Sequence, residues 1–270
     1  MPAWSPDGRT LAYVCDFSPG KERSLILRSD ETGEEREIKT KFSFVGLSLR
    51  WSKDGRTLAM GAREDQGRGG LFRVDVQSGE STFLGIPMDG YRIPRFELSA
   101  DGKIGYACVA SPGNPKMTNL IALDLASGKQ TVLLTRGAIT SAELSPDGRK
   151  LAVLAMREDS LDLSVLVMPA EGGEAREIVR IESKEATARV APVWTPDGRS
   201  VYFVKGRRGA PDRDVQLWKV SAEGGTPQRL GLTVDELWWI SPHPDGRRLA
   251  FGNMWGQSEV WTIENFLPKR

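Results

Sequence analysis

Histidine is nearly absent from this chain of 270 residues, with His243 as the one copy. That excludes zinc motifs built on paired histidines, and it leaves a Ser-His-Asp or Cys-His site a single residue to use. His243 stands between Pro242 and Pro244, where a turn residue is expected and not a catalytic base. No Gly-x-Ser-x-Gly elbow occurs either. Cysteine is scarce: Cys15 and Cys108 are the two copies, in the matching segments Tyr13-Val14-Cys15 and Tyr106-Ala107-Cys108. Such equivalent positions are expected to lie beyond the roughly 7 Å Cα separation that a disulfide tolerates, so both read as small buried apolar residues. No apolar run approaches the roughly 18 residues of a membrane span, and no secretory apolar region follows Met1, so no membrane insertion of this segment is expected. Charge of either sign is balanced, with 37 Lys plus Arg against 36 Asp plus Glu. A net charge of +1 gives no footprint for nucleic acid. Apolar residues nowhere recur at 3.6 spacing over 12 or more residues, which predicts almost no helix.

What is present is a repeat. The dipeptide Asp-Gly recurs at Asp7, Asp54, Asp101, Asp147, Asp197 and Asp245, at spacings of 46 to 50 residues. Its surroundings recur too, as in Trp4-Ser5-Pro6-Asp7-Gly8-Arg9, Trp51-Ser52-Lys53-Asp54-Gly55-Arg56 and Trp194-Thr195-Pro196-Asp197-Gly198-Arg199. The sixth copy, Ser241-Pro242-His243-Pro244-Asp245-Gly246-Arg247, reads as stretched by an insertion. Proline presets φ at the first corner of a type I turn, aspartate tolerates the second, and glycine supplies the positive φ that follows. Each turn leads into an apolar run such as Leu11-Ala12-Tyr13-Val14 or Leu151-Ala152-Val153-Leu154, suited to a strand covered on both faces. A third strand, a second turn such as Ser78-Gly79-Glu80 and a more polar fourth strand complete the unit. Four antiparallel strands in about 47 residues cannot bury both faces alone, and six such sheets packed radially can. The expected fold is therefore all-β: a six-bladed β-propeller formed by residues 1–270 as one domain.

The Trp-Ser-Pro-Asp-Gly-Arg motif, followed by Leu-Ala-Tyr or its equivalents, resembles the WD40-like PD40 repeat of TolB-type propellers over essentially the whole chain. The motif is specific for the fold, and many proteins with different tasks carry it. The N-terminal domain that precedes the propeller in TolB has no counterpart in this sequence. The ending Glu259-Val260-Trp261-Thr262-Ile263-Glu264-Asn265-Phe266-Leu267-Pro268 is similar to the C-terminus of propellers fused to bacterial winged-helix regulators and Ser/Thr kinases. Those parents resemble sensors. The resemblance implies a bacterial module and favours a periplasmic or extracytoplasmic setting, while leaving the cytoplasm open.

Counting strands predicts a gap. Residues 1–4 supply the inner strand of blade one, and no fourth strand is encoded for blade six. The last blade is therefore expected to be three-stranded, with 258–264 as an open edge. Such an edge invites pairing with another chain.

Candidate functional residues fall in two sets. Loops between blades gather at one end of the central channel, where Phe44, Tyr91, Arg92, Arg189, Trp238 and Trp239 are candidates to bind a ligand; Trp238 and Trp239 read equally well as packing between blades. Four positions before the turn aspartate, consecutive inner strands carry Arg50, Glu97 and Glu143. These read as an inter-blade ion pair of Arg50 with Glu97, or as polar groups that hold a cation or ligand. Gluconolactonase-like propellers use channel carboxylates with Ca²⁺, yet three positions, one of them cationic, are too few for a hard cation. The Gly67-Arg68-Gly69-Gly70 stretch lacks the Lys-Ser/Thr of a phosphate loop and reads as a hairpin tip. Lys205-Gly206-Arg207-Arg208-Gly209 reads as a solvated basic loop. The expectation is a non-catalytic protein- or ligand-binding sensor module without cofactor or metal. The alternatives are a metal-dependent hydrolase or lactonase and the accessory propeller of a prolyl-oligopeptidase-like peptidase.

Overall fold

The computed structural model describes residues 2–15, 24–64, 67–85, 96–185, 190–206, 215–234, 237, 239–253, 259–264 and 266. Among them the chain forms six antiparallel sheets, five of four strands and one of three, and no helix. Each sheet is a meander whose strands pair in chain order. The innermost strands are Pro2–Trp4, Phe42–Trp51, Phe96–Leu98, Ile139–Leu144, Val193–Trp194 and Trp239–Pro242.

The turn that begins each blade explains why the repeat folds as it does. Gly8, Gly55, Gly102, Gly148, Gly198 and Gly246 all hold φ between 66° and 73°, a region costly to side chains with a Cβ. Ahead of each glycine, the N–H of Ser5, Ser52, Ser99, Ser145, Thr195 or His243 donates to a carbonyl five residues on, at 2.8–2.9 Å. In five blades the hydroxyl at that position also donates to the turn aspartate at 2.5–2.7 Å. The same oxygen accepts the backbone N–H that opens the second strand, at 2.9–3.0 Å. One hydroxyl thus ties both sides of the hairpin corner.

The sixth corner corrects the reading of an insertion. His243 occupies the serine position with the same backbone bonds, to Arg248 and from Gly246, so the copy has the common length and only its side chain differs. The difference has a structural consequence. His243 Nδ1 lies 3.1 Å from the Asp245 backbone nitrogen and 2.9 Å from its carboxylate, while Nε2 lies 2.9 Å from the carbonyl of Gly8, in blade one, and 2.7 Å from Arg248 Nη2. The ring stands edge-on to Trp4, centroids 4.7 Å apart. Arg248 reaches both carboxylate oxygens of Asp30 in blade one at 2.6 and 2.7 Å. His243 is a turn residue, and it is also half of a latch between the last blade and the first.

Apolar clusters fill the wedges between sheets. Second strands are deeply buried: all of Leu151 to Ala155 is buried, as is Leu58 to Ala62. Outer strands are polar on their exposed face, as in Glu35–Ile38, where only Ile38 is buried. The sixth blade has three strands and leaves Glu259–Glu264 as its outer edge among the described residues. Gly67 forms the hairpin tip that the sequence predicts, while Gly69 and Gly70 already belong to the third strand of blade two. Arg207 to Gly209 lie outside the described residues. Cys108, expected to be buried, is half-exposed and packs at the edge of the cluster between blades three and four; the Cys15 side chain lies outside the described residues.

Candidate functional site

Inner strands cannot pair with one another around the axis, so their backbone groups and the side chains beside them line a central cavity of about 650 Å³. Three rows of residues build it, and each row is one position of the repeat. The row four residues before the turn aspartate reads Ala3, Arg50, Glu97, Glu143, Val193 and Ser241. Next comes a row rich in tryptophan, with Trp4, Trp51 and Trp194. The residue just before each aspartate rims the end of the channel where the turns gather: Pro6, Lys53, Ala100, Pro146, Pro196 and Pro244. The rim position recurs six times in the sequence, at the end of the channel opposite the inter-blade loops.

The row of charges is internally satisfied. Arg50 Nε donates to Glu97 at 2.6 Å, its Nη2 makes a second bond to the same carboxylate, and its Nη1 donates to the Leu49 carbonyl at 2.9 Å. Glu143 lies 3.6 Å from the same guanidinium. Burial works against charge on Arg50, and the Coulomb pull and hydrogen bonds of Glu97, with Glu143 behind it, overcome that and raise its pKa. Burial pushes the Glu97 carboxyl upward against the pull of Arg50. The side chain of Glu97 is only 5% exposed, so its position depends on that partner.

These side chains also do a backbone task. Glu143 accepts the N–H of Trp194 in the next blade at 3.3 Å, Glu97 accepts that of Leu144, and Ser241 Oγ accepts that of Trp4 at 3.3 Å. A polar side chain in this row therefore satisfies an inner-strand donor of the following blade. Tryptophans answer in the other direction. The indole N–H of Trp51 donates to the Ala3 carbonyl at 2.9 Å, and that of Trp194 to the Glu143 carbonyl at 3.0 Å. In blade one the Trp4 indole nitrogen has no hydrogen-bond partner, where His243 packs instead.

Of the residues proposed for the inter-blade end, Trp239 is buried, lines the cavity and packs on Gly252, where a Cβ would fall 3.0 Å from its ring. Tyr91, Arg92, Arg189 and Trp238 lie outside the described residues, as does the side chain of Phe44. Arg50, Glu97 and Glu143 are brought together. Among the described residues that line the cavity there is neither His243 nor a cysteine. Among the described residues, no three His, Cys, Asp or Glu side chains gather in a way that would hold a metal ion.

A wall of paired charge from blades two to four faces an apolar wall that includes Ala3, Val193 and Ile240. Six sheets, the repeated corner and this axial cavity define a six-bladed propeller of the hydroxyl–Asp-Gly type. Residues 94–265 match the family model of the TolB beta propeller domain, and the chain belongs to that family. Dipeptidyl-peptidase 5 of Porphyromonas gingivalis is 27% identical over 203 residues, which is 71% of this chain and 28% of that protein. Here and in a second relative, the chain spans only 28% and 33% of the length of the curated relatives it matches. Among solved structures, a putative TolB from Agrobacterium tumefaciens superposes with a TM-score of 0.69 at 19% identity, over all of this chain and 90% of that one. An oligogalacturonate lyase in complex with manganese superposes at 0.64 and 17% identity, over 97% of this chain and 73% of that one. At such identities the likeness is one of fold.

Proposed function

We propose that this propeller is a non-catalytic binding module that captures a peptide or small polar ligand in its central channel, as one part of a larger protein. The observation that carries the reading is the cavity itself. Its volume of about 650 Å³ falls within the range of ligand sites, and its walls combine a fixed polar row with apolar surface. Proline at the rim, Pro6, Pro146, Pro196 and Pro244, offers rigid contact area. The Arg50 donors are engaged by Glu97 and Leu49, so the polar row positions a ligand and does not supply a reacting group.

A manganese ion like that of the lyase fits these residues poorly. Two channel carboxylates come together here, and the cation between them is already the Arg50 guanidinium. A second reading, that the propeller guards a peptidase domain, is favoured by the likeness to dipeptidyl-peptidase 5 over 71% of the chain. Catalytic residues would then lie on sequence beyond these 270.

A thermal-shift screen separates the readings. Pools of short peptides are compared with Ca²⁺, Mn²⁺ and Zn²⁺. The binding reading expects stabilisation by particular peptides, lost in Ala100→Trp, which places a bulky plug at the exposed rim and spares the core. A large metal-dependent stabilisation, reversed by Glu97→Gln or Glu143→Gln, would overturn it in favour of metal-dependent chemistry.

A further inference from the structure

The sixth hairpin corner differs from the other five in what its cap can do. In those five a hydroxyl donates one hydrogen bond, to the turn aspartate, and accepts another, from the N–H that opens the second strand. A hydroxyl is donor and acceptor at once, at any pH near neutrality. In blade six His243 stands in that position as the one imidazole of the chain, and it is 6% exposed. Its Nδ1 lies 2.9 Å from the Asp245 carboxylate, the counterpart of the hydroxyl–aspartate bond. Its Nε2 lies 2.9 Å from the Gly8 carbonyl, across the seam between blades six and one. A neutral imidazole carries one N–H. It can close its own corner through Nδ1 or bridge the seam through Nε2, but it cannot do both. The imidazolium carries two N–H groups and does both.

We propose that His243 is a proton-operated clasp between the last blade and the first, closing the corner and bridging the seam together once it takes up a proton. Histidine is the side chain whose charge changes between pH 5 and 8. The charges that face this ring come from three places. Asp245, in its own turn, stays ionised down to about 2 and favours the added proton. Arg248, on the second strand of blade six, places Nη2 2.7 Å from Nε2 and opposes it. That guanidinium is itself engaged by both oxygens of Asp30 in blade one, at 2.6 and 2.7 Å, and by Asp245 at 3.1 Å. Among the described residues the cluster thus sets two carboxylates against one guanidinium, and an imidazolium brings it to balance. The Trp4 ring, edge-on to His243, closes the other side without charge. A proton held by the closed ring and lost on opening stabilises closure where the site is filled, and that contribution fades as pH rises through neutrality. The clasp does not depend on what the channel binds.

Side-chain nitrogen NMR of the 270-residue chain reads a single imidazole, so the signal is His243 without further assignment. Both ring nitrogens are expected to carry protons at pH 5, and one of them at pH 8. Amide exchange then reads the seam, with each pH compared against His243→Ser, which closes the corner with a hydroxyl and leaves the seam unbridged. The ratio of protection in wild type to that in the variant should rise at least threefold from pH 8 to pH 5 in blades one and six, and stay level in blades three and four. If His243→Ser does not fold, His243→Gln takes its place, because its amide donates at every pH; the wild-type ratio to it should move with pH in the same direction. A ring that stays neutral down to pH 5 overturns the inference, as does a ratio that is flat or falls on acidification. An equal rise in all blades also overturns it, since the proton would then act on the whole fold and not at the seam.

Discussion

Gly8 and Gly55 occupy the same corner of adjacent blades at φ of 72° and 69°, yet their surroundings differ. A Cβ on Gly8 would fall 2.5 Å from His243 Nε2, while one on Gly55 would meet nothing within 4 Å. Gly55→Ala should therefore cost only left-handed strain, about 1–2 kcal/mol, and Gly8→Ala about 3 kcal/mol, because the buried imidazole must also move. Urea unfolding of the pair measures this, and equal losses would contradict the His243–Gly8 contact. The turn aspartates make a second residue-level claim. Hydrogen bonds from the Ser hydroxyl and the N–H two residues on hold Asp7, Asp54, Asp101 and Asp147 below the usual carboxylate range. Burial pushes Asp245 up, but bonds from Arg247, His243 and Arg248 bring it down to about 2. A depressed folded pKa adds stability above the unfolded value of 3.8, and that stability is lost as pH falls through the folded value. The expected loss lies between pH 4 and 2. Asp245→Asn should flatten that part of the stability–pH curve by about 1 kcal/mol, after allowance for solvent screening of this partly exposed group. In the channel, Arg50→Leu leaves Glu97 buried without its counter-ion and should cost about 3 kcal/mol, much of it recovered by Arg50→Leu with Glu97→Leu. Chemical denaturation of the three variants tests the cycle; additive losses would mean the pair does not couple.

The hairpin corner is the element that the sequence displays most openly. Its hydroxyl, aspartate and glycine interact within five or six residues, so local spacing is enough to infer both the turn and the strand that follows. Arg50, Glu97 and Glu143 were legible for a related reason: a constant repeat turns a sequence offset into an angular position, which places equivalent residues side by side around the axis. The latch was hidden because its partners are distant, Gly8 from His243 by 235 positions and Asp30 from Arg248 by 218. No periodic signal links a substituted serine to the blade it meets after the ring has closed. This element has its own prediction. Arg248→Ala removes the two bonds to Asp30 and should weaken the seam by about 1–2 kcal/mol. Arg176→Ala removes comparable bonds from blade four to Ala222 and Glu223, but there Ile178 and Val179 also hold the seam. Amide exchange should accordingly rise in blades one and six for Arg248→Ala and change little in blades four and five for Arg176→Ala. The reverse order would show that outer-strand packing does not govern the seams.

For the whole molecule, stability is close to a sum of sheets and the interfaces between neighbours, as in other repeat proteins, so one weak interface sets where the ring opens. The number of blades followed from counting one turn, and the three-stranded last blade followed from counting strands. The inter-blade end of the channel resisted such counting, because its loops share no repeated position. Among the described residues, the seam between blades six and one relies on His243, Arg248 and Asp30 where five others have an outer strand, so the ring is expected to open there first.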